Sequence, residues 1–357
     1  MTGGLAVAFS GGGAKGAFQA GVLSELAKEG ITFDMFVGVS TGSIQALGGA
    51  MGKIDELIDY WESITGDADI YMRRSLLDFP LAILPQDGLF PADGEYDQIP
   101  GQTFADSIPG LPTSLHSTAP LQGKLRKFAE DNWPGTANVK PLRIGVVSLQ
   151  TGDFRAIHED APGIADWVYA SCAVPLEFKP HLATAQGGGK TQWVDGGVRD
   201  VTPLTTALEM RPRAVFVVRA SPPPQVLTHM PEFKNLLSIA LRAAEILEKE
   251  NSVTDILPIS LINDILTAQG AVAANLAAQG LSSAQIDAAM APLKAVATER
   301  KFAPIYYIRP EVEYARNHEF RHDKIRAAIE GGRLYVRNHL AEIQTFLSDN
   351  PAYSGGE

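Results

Sequence analysis

Short apolar runs alternate with segments of helical periodicity over the first fifty residues. Residues 5–9 and 35–39 are apolar runs of strand length, and each leads into a turn that contains glycine. After the first turn, apolar residues recur every three or four positions from Phe18 to Leu26, until Gly30 ends the helical pattern. A similar helical pattern follows the second turn. Two strand–turn–helix units in succession predict that the chain opens with a parallel βαβ unit.

The pattern then predicts a covering helix and an excursion from the sheet. Residues 53–64 are amphipathic with helical spacing. Residues 66–141 are rich in proline and glycine, with apolar patches between Leu76 and Phe90. Arg73 and Arg74 lie beside these patches, which are compatible either with a buried insertion or with an interfacial lid.

Further strands and helices are predicted after residue 141. In order, they are a hairpin at 142–149 and 154–158, a short helix ending near Pro175, strands at 191–194 and 214–219, Ala- and Leu-rich helices within 233–300, and helical segments within 324–347. Three consecutive prolines at 222–224 are expected to close the sheet-forming region. Gly331 and Gly332 are expected to divide the last helical segments into a pair.

Composition and charge exclude several classes of protein. The 357 residues carry a net charge of -11, which opposes a surface that follows nucleic-acid phosphates. A single cysteine, Cys172, forbids an internal disulfide and a cysteine-based zinc site. The N-terminal residues lack the basic region and apolar length of a signal peptide, and no uninterrupted stretch approaches the roughly 20 apolar residues of a membrane span. We therefore expect a cytoplasmic protein. Peripheral contact with a membrane is compatible with this location.

Residues 11–16, Gly-Gly-Gly-Ala-Lys-Gly, match the GxGxxG pattern of a dinucleotide-binding loop. A Rossmann site also needs an acidic residue at the end of the second strand, and that position holds Gly38-Val39-Ser40. The glycines can still present several backbone N–H groups at a helix N-terminus, where developing negative charge is stabilised.

Residues 38–42, Gly-Val-Ser-Thr-Gly, form a GxSxG sequence at a predicted strand-to-helix turn. This is the setting of a nucleophile elbow, where glycines leave room for a tight turn around an exposed serine. Because both turns follow neighbouring parallel strands, Ser40 and the glycine loop are expected at one edge of the sheet. A nucleophile and an oxyanion hole would then be neighbours.

The base that would activate Ser40 is not an obvious histidine. None of the seven histidines lies in a recognisable triad position; they are His116, His158, His181, His229, His318, His322 and His339. Asp195 ends an apolar strand and is followed by Gly196 and Gly197. Asp-Gly most often marks an ordinary turn, but a carboxylate can also serve as a general base.

These motifs together resemble the patatin-like phospholipase family, and in particular its bacterial members. The family's DGGGxRG, GxSxG and DG[GA] signatures correspond to residues 10–16, 38–42 and 195–197, and its A-S-x-A-x-P segment corresponds to 170–175. Order and spacing also agree, and the resemblance extends over roughly residues 5–219. The sequence has Ser10 in place of the family's acid and Lys15 in place of its arginine. We expect Lys15 to be a solvated charge at the start of the helix.

The resemblance implies a three-layer α/β/α fold with a mainly parallel central sheet. We expect a catalytic α/β domain at 1–225 with an insertion near 66–141, and a mostly helical C-terminal extension at 226–357 packed on it. The implied activity is that of a serine lipid acyl hydrolase, of phospholipase A, lysophospholipase or esterase type, acting on a phospholipid, a lysophospholipid or a neutral glyceride. No metal or organic cofactor is expected, and the oligomeric state is not indicated.

In this scheme Ser40 is the nucleophile and Asp195 the general base. The expected oxyanion hole comprises Gly11, Gly12, Gly13 and Thr41. Supporting residues are Lys15, Gly16, Gly38, Gly42, Gly196 and Gly197. Cys172 and Ser171 are expected to be structural. Two alternatives remain: a nucleotide-binding Rossmann-like module that uses residues 11–16, and a catalytically idle interaction protein on the same fold.

Overall fold

The computed structural model of the protein describes residues 3–73, 113–184, 189–223, 271–298 and 303–351, together with residues 242, 246, 247 and 268. The strands are β1 (Leu5–Phe9), β2 (Met35–Val39), β3 (Met72–Arg73), β4 (His116–Ser117), β5 (Leu142–Ser148), β6 (Phe154–His158), β7 (His181–Thr184), β8 (Lys190–Asp195), β9 (Ala214–Val218) and β10 (Ile305–Ile308). The helices are α1 (Gly16–Lys28), α2 (Thr41–Ala50), α3 (Ile54–Glu62), α4 (Ala119–Asn132), α5 (Ile164–Ser171), α6 (Leu204–Glu209), α7 (Ser283–Thr298) and α8 (His322–Asp349).

One mixed sheet organises the described part of the chain. Its strand order is β10-β9-β1-β2-β5-β8-β7, and β6 pairs with β5. Neighbouring strands from β10 to β5 are parallel, whereas β6 and β8 pair antiparallel to β5, and β7 pairs antiparallel to β8. The predicted opening βαβ unit and the hairpin of β5 and β6 are therefore confirmed. Because β1 and β2 are parallel neighbours, the turns that follow them open at the same edge of the sheet.

The two faces of the sheet are buried in separate apolar clusters. Along β1, Val7 and Phe9 belong to the larger cluster, together with buried residues of α1, α2, α3, α5 and α8. The intervening residues Ala6 and Ala8 belong to the second cluster, together with Leu204 of α6. Alternate residues of a strand point to opposite faces, so helices cover both sides of the sheet. The three-layer α/β/α fold is confirmed.

The sheet does not end at the three prolines. β10 pairs in parallel with β9, from Ile305 opposite Val215 to Ile308 opposite Val218. The prediction that residues 222–224 close the sheet-forming region is therefore wrong. The C-terminal part adds a strand to the sheet as well as helices to its face.

The last helix is continuous where a helical pair was predicted. α8 runs through Gly331 and Gly332 without a break. A Cβ atom at Gly332 would lie 2.1 Å from the carbonyl oxygen of Phe18 in α1. The glycine thus permits close packing of α8 on α1 instead of ending the helix, which corrects the expectation from the sequence.

The predicted insertion near 66–141 is described only at its two ends. The first end carries β3, and the second carries β4, which pairs with β3, and then α4. The apolar patches between Leu76 and Phe90 lie outside the described residues. Among the helices of the described ranges, none has the length and apolar character needed to cross a membrane.

Candidate active site

Ser40 occupies a strained turn between β2 and α2. Its backbone has φ 54° and ψ -132°, a conformation that residues with a side chain rarely adopt. Gly38 and Gly42 make the turn possible through close approach, since a Cβ at Gly38 would lie 2.2 Å from the carbonyl oxygen of Gly42. A Cβ at Gly42 would in turn lie 2.4 Å from the carbonyl oxygen of Phe9. The geometry is that of a nucleophile elbow.

Buried hydroxyl groups hold both polar backbone groups of Ser40. The N–H of Ser40 donates to Oγ of Ser171 at 2.9 Å, and Oγ of Ser43 donates to the carbonyl oxygen of Ser40 at 2.6 Å. Both Ser171 and Ser43 are fully buried. Sequence reasoning treated Ser171 as merely structural and did not single out Ser43 at all.

Asp195 ends β8 and lies beside the elbow through their shared neighbour β5. One edge of β5 pairs with β6, so the other edge accommodates both β2 and β8. On that edge Val39 is opposite Gly145, and Asp195 is opposite the next residue, Val146. The register thus places Asp195 and Val39, the residue before Ser40, opposite adjacent residues of β5.

The Asp195 side chain is oriented by its own turn. Asp195 is 5% exposed, and its Oδ1 accepts a hydrogen bond from the N–H of Gly197 at 2.7 Å. Gly196 begins the short turn after β8, where a Cβ would lie 2.5 Å from the carbonyl oxygen of Gly145. The pair of glycines after the aspartate therefore lets the turn pack on β5 and supplies a donor to the carboxylate.

The glycine loop follows β1, next to the elbow. The N–H of Gly11 donates to the carbonyl oxygen of Val201 at 3.0 Å, so this amide is already paired. The expectation that Gly11 contributes to an oxyanion hole is revised for that reason. Within the described residues, no acceptor is bonded to the N–H of Gly12 or Gly13. The remaining expected donor, the N–H of Thr41, lies in the first turn of α2.

Gly13 has a left-handed backbone with φ 56°, which favours glycine. A Cβ there would lie 2.1 Å from the carbonyl oxygen of Asn317, and the same oxygen accepts from the N–H of Ala14 at 2.9 Å. A loop before α8 therefore holds the glycine loop from outside. Nothing in the local sequence around Asn317 indicates this contact.

A buried polar network anchors the base of the glycine loop. Nε2 of Gln19 donates to the carbonyl oxygens of Ser10 and Val218, at 3.0 and 2.8 Å. Gln45 donates to Oε1 of Gln19 and accepts from the indole N–H of Trp61. Oγ of Ser10, which replaces the family's acid, accepts from the N–H of Ala220 at 3.0 Å. Sequence reasoning missed both glutamines.

Lys15 is buried, so the expectation of a solvated charge is wrong. Its Nζ lies 3.0 Å from Oε1 of Glu313 and 3.3 Å from Oγ of Ser221. The Lys15 side chain is 10% exposed, whereas that of Glu313 is 51% exposed. Gly16 is the first residue of α1, and a Cβ there would lie 2.2 Å from Oγ1 of Thr41. The start of α1 thus packs directly on Thr41, the residue after Ser40.

Cys172 is buried, as expected of a packing residue. Burial raises the pKa of its thiol, and the negative charge of Asp195 raises this pKa further. The thiol is therefore neutral near pH 7 and unsuited to nucleophilic chemistry.

Two histidines make contacts with identified neighbours near β4. Nδ1 of His318 lies 3.2 Å from Oε2 of Glu177, and His116 packs against the ring of Tyr71. Burial and the neighbouring His318 lower the pKa of His116. His229 lies outside the described residues.

Comparison with known proteins gives a family and a distant structural similarity. Among solved structures, the chain resembles VipD from Legionella pneumophila, at 15% identity and a TM-score of 0.41, over 96% of this chain and 67% of that one. This similarity is too low to support conclusions about function. No curated protein matches the chain. The family model described as patatin-like phospholipase matches residues 7–208, which is more than half of the chain. This range includes Ser40, Asp195 and the glycine loop. The chain therefore belongs to the patatin-like phospholipase family.

Proposed function

We propose that this protein is a serine lipid acyl hydrolase in which Ser40 and Asp195 form the catalytic dyad. Family membership indicates lipid acyl hydrolase chemistry in general. The observation that supports the specific assignment is the register on β5, where the buried Asp195 and Val39, the residue before the strained Ser40, are opposite adjacent residues. Strained backbone persists where the surrounding structure holds it, and it clusters at functional sites.

The reaction begins with attack of Ser40 Oγ on the ester carbonyl carbon. Asp195 takes the hydroxyl proton, and the carbonyl oxygen becomes an oxyanion. The N–H groups of Gly12, Gly13 and Thr41 stabilise it, with the positive end of the α2 dipole adding to their effect. Collapse of this intermediate breaks the bond to the alcohol, which leaves with the proton from Asp195.

The acyl group then remains as an ester on Ser40. Asp195, again a carboxylate, takes a proton from a water molecule that attacks this ester. The second tetrahedral intermediate collapses, the fatty acid is released, and the proton returns to Ser40 Oγ. Each proton transfer uses the dyad alone, so no histidine is required. The substrate class is a phospholipid, a lysophospholipid or a neutral glyceride.

The deciding experiment is reaction with a fluorophosphonate probe, followed by mass spectrometry of the labelled peptide. We expect the label on Ser40, with labelling and ester hydrolysis abolished in Ser40→Ala and strongly reduced in Asp195→Asn. Asp153→Asn is the matched control, because Asp153 is an exposed residue in the β5–β6 turn. Labelling elsewhere, or full activity of Ser40→Ala, would contradict the proposal.

The two alternative functions predict different results for the same purified protein. A nucleotide-binding module would bind NAD in a fluorescence titration and would lose that binding when the glycine loop is altered. A catalytically idle interaction protein would neither react with the probe nor hydrolyse p-nitrophenyl esters. Either result would replace the hydrolase assignment.

A further inference from the structure

Residues 171–173, at the end of α5 and directly after it, accept a hydrogen bond from the main-chain N–H of each member of the proposed dyad. Oγ of Ser171 accepts from the N–H of Ser40 at 2.9 Å. Two residues later, the carbonyl oxygen of Ala173 accepts from the N–H of Asp195 at 3.0 Å. Residues 171–173 therefore connect the two strand ends that present the nucleophile and the base.

The Ser171 hydroxyl is also tied to the strand that sets the register of the dyad. It donates to the carbonyl oxygen of Gly145 at 2.6 Å, and Gly145 is opposite Val39 in the pairing of β2 with β5. With one hydrogen bond donated and one accepted, the hydroxyl rotor has a single orientation. Ser171 has no exposed surface, so water cannot replace either bond.

The backbone of Ser40 needs such a partner. Its φ of 54° takes the residue out of the β2 ladder before α2 begins, so neither element supplies an acceptor for its N–H. A buried unpaired N–H group is costly, and strained backbone persists only when neighbouring groups fix it. Ser171 supplies the acceptor from a segment 131 positions away.

We propose that Ser171 is a positioning residue, which holds the Ser40 elbow at the attack geometry by accepting the Ser40 N–H while donating to Gly145. This inference rests on the proposed function and deepens it. Ser171 touches neither substrate nor reacting atoms in this proposal. Its effect comes from the orientation of Ser40 relative to Asp195, whose N–H is held by Ala173 of the same segment.

The test compares Ser171→Ala with Ser148→Ala in the full-length chain. Ser148 is a matched control, because it is also buried and its Oγ also accepts one backbone N–H, that of Thr151 at 3.2 Å. The first readout is the second-order rate of fluorophosphonate reaction at Ser40. We expect Ser171→Ala to lower it by about 10², the scale of loss for a misplaced reacting group, with KM for a short ester unchanged. Ser148→Ala should react at the wild-type rate.

Hydrogen exchange provides a readout that does not depend on activity. In Ser171→Ala, the amide of Ser40 should exchange faster in the peptide that spans residues 36–47. The same peptide should be unchanged in Ser148→Ala. Ser171→Cys keeps a weak acceptor and a weak donor in nearly the same shape, so its reaction rate should lie between wild type and Ser171→Ala. This variant carries the test if Ser171→Ala does not fold.

The outcomes separate this inference from the proposed function. If the wild-type protein is labelled at Ser40 but Ser171→Ala and Ser171→Cys react as fast as Ser148→Ala, the positioning role is overturned while the dyad stands. Equal loss of activity in Ser171→Ala and Ser148→Ala would also overturn it, because that result indicates a general effect on stability. If the wild-type protein is not labelled at Ser40, the proposed function itself fails.

Discussion

Lys15 and Glu313 form an ion pair at 3.0 Å. It connects the glycine loop to a segment outside the residues that the family model matches. The two partners are unequally buried, since the lysine side chain is 10% exposed and the glutamate side chain 51%. Loss of the glutamate would leave a buried ammonium group with only Ser221 as a partner among its described contacts. Loss of the lysine would leave a carboxylate that water can solvate.

Glu313→Gln should therefore destabilise the protein more than Lys15→Met, although both remove the same pair. Exposed pairs contribute roughly 0–1 kcal/mol, whereas leaving a buried charge unpaired costs about 3–5 kcal/mol. With one partner half exposed, we expect a difference of about 1–2 kcal/mol between the two variants. Urea unfolding measures it, and the double variant should resemble Lys15→Met. Equal losses in the two single variants would show that the lysine is solvated after all.

Ser40→Gly should be more stable than Ser40→Ala, which reverses the usual order. Glycine adopts φ 54° without strain, whereas a side chain in such a region costs about 1–3 kcal/mol. The greater freedom of unfolded glycine offsets roughly 0.5–1 kcal/mol of this gain. Thermal unfolding of the two variants provides the comparison. Ser348, an exposed residue of α8, provides the control: there Ser348→Ala should be more stable than Ser348→Gly.

Gly13→Ala should lower turnover by about 10² to 10³, which corresponds to roughly 2.7–4 kcal/mol for one lost oxyanion donor. The added Cβ meets the carbonyl oxygen of Asn317, and the backbone at φ 56° disfavours alanine, so the N–H is displaced. Gly11→Ala provides the comparison, because its N–H is already paired with Val201 and its Cβ would make only a tight 3.2 Å contact with Cβ of Ser40. Both variants are assayed on a soluble ester and normalised to the folded fraction. Unchanged turnover in Gly13→Ala would contradict the oxyanion assignment.

Stability should fall as the pH is lowered, in part because of His116. Burial, and next the charge of His318, hold the pKa of His116 below its ordinary value of 6.5 in the folded protein. As the pH falls below 6.5, the unfolded chain therefore binds the proton first, and the folded state loses relative stability. His116→Asn should show a smaller loss between about pH 7 and pH 5 in urea unfolding midpoints. His158→Asn, at an exposed position, is the comparison variant.

Local patterns predicted the elements that carry the proposed catalytic residues, because their signals lie within a few residues. The apolar runs before Gly11 and Ser40 and the helical spacing after them were sufficient to place both turns at one sheet edge. The role of Ser171 could not be predicted in this way, since its partners lie 131 and 26 positions away. The burial of Lys15 likewise depends on Glu313, which is distant in sequence.

Other differences come from ambiguous local signals. Ile305–Ile308 is a β-branched and aromatic run that favours a strand, but only four residues long. It could have been recognised as the partner that extends the sheet. The Gly331–Gly332 pair is equally compatible with a helix break and with close helix packing, and only the position of α1 decides between them.

Gly332→Ala should destabilise the protein, although alanine is the better helix former by about 1 kcal/mol. The added Cβ would meet the carbonyl oxygen of Phe18, and overpacking of this kind costs about 1–3 kcal/mol. Gly123→Ala in α4 is the matched control, because a Cβ placed there would have no atom within 4 Å beyond its chain neighbours and the backbone of its own helix. That control should be stabilised by about 0.4–1 kcal/mol. Stabilisation of Gly332→Ala in thermal unfolding would show that α8 packs less closely on α1.

The contact of α8 with α1 also has a consequence for the order of events during synthesis. α1 is among the first segments to be made, yet the helix that covers Gly21 and Phe18 is more than 300 residues away along the chain. At roughly 5–20 residues per second, that interval lasts about 15–60 s. Throughout it, the apolar face of α1 lacks its final cover, so the nascent chain is open to aggregation and to chaperone binding at a helix that begins beside the proposed active site.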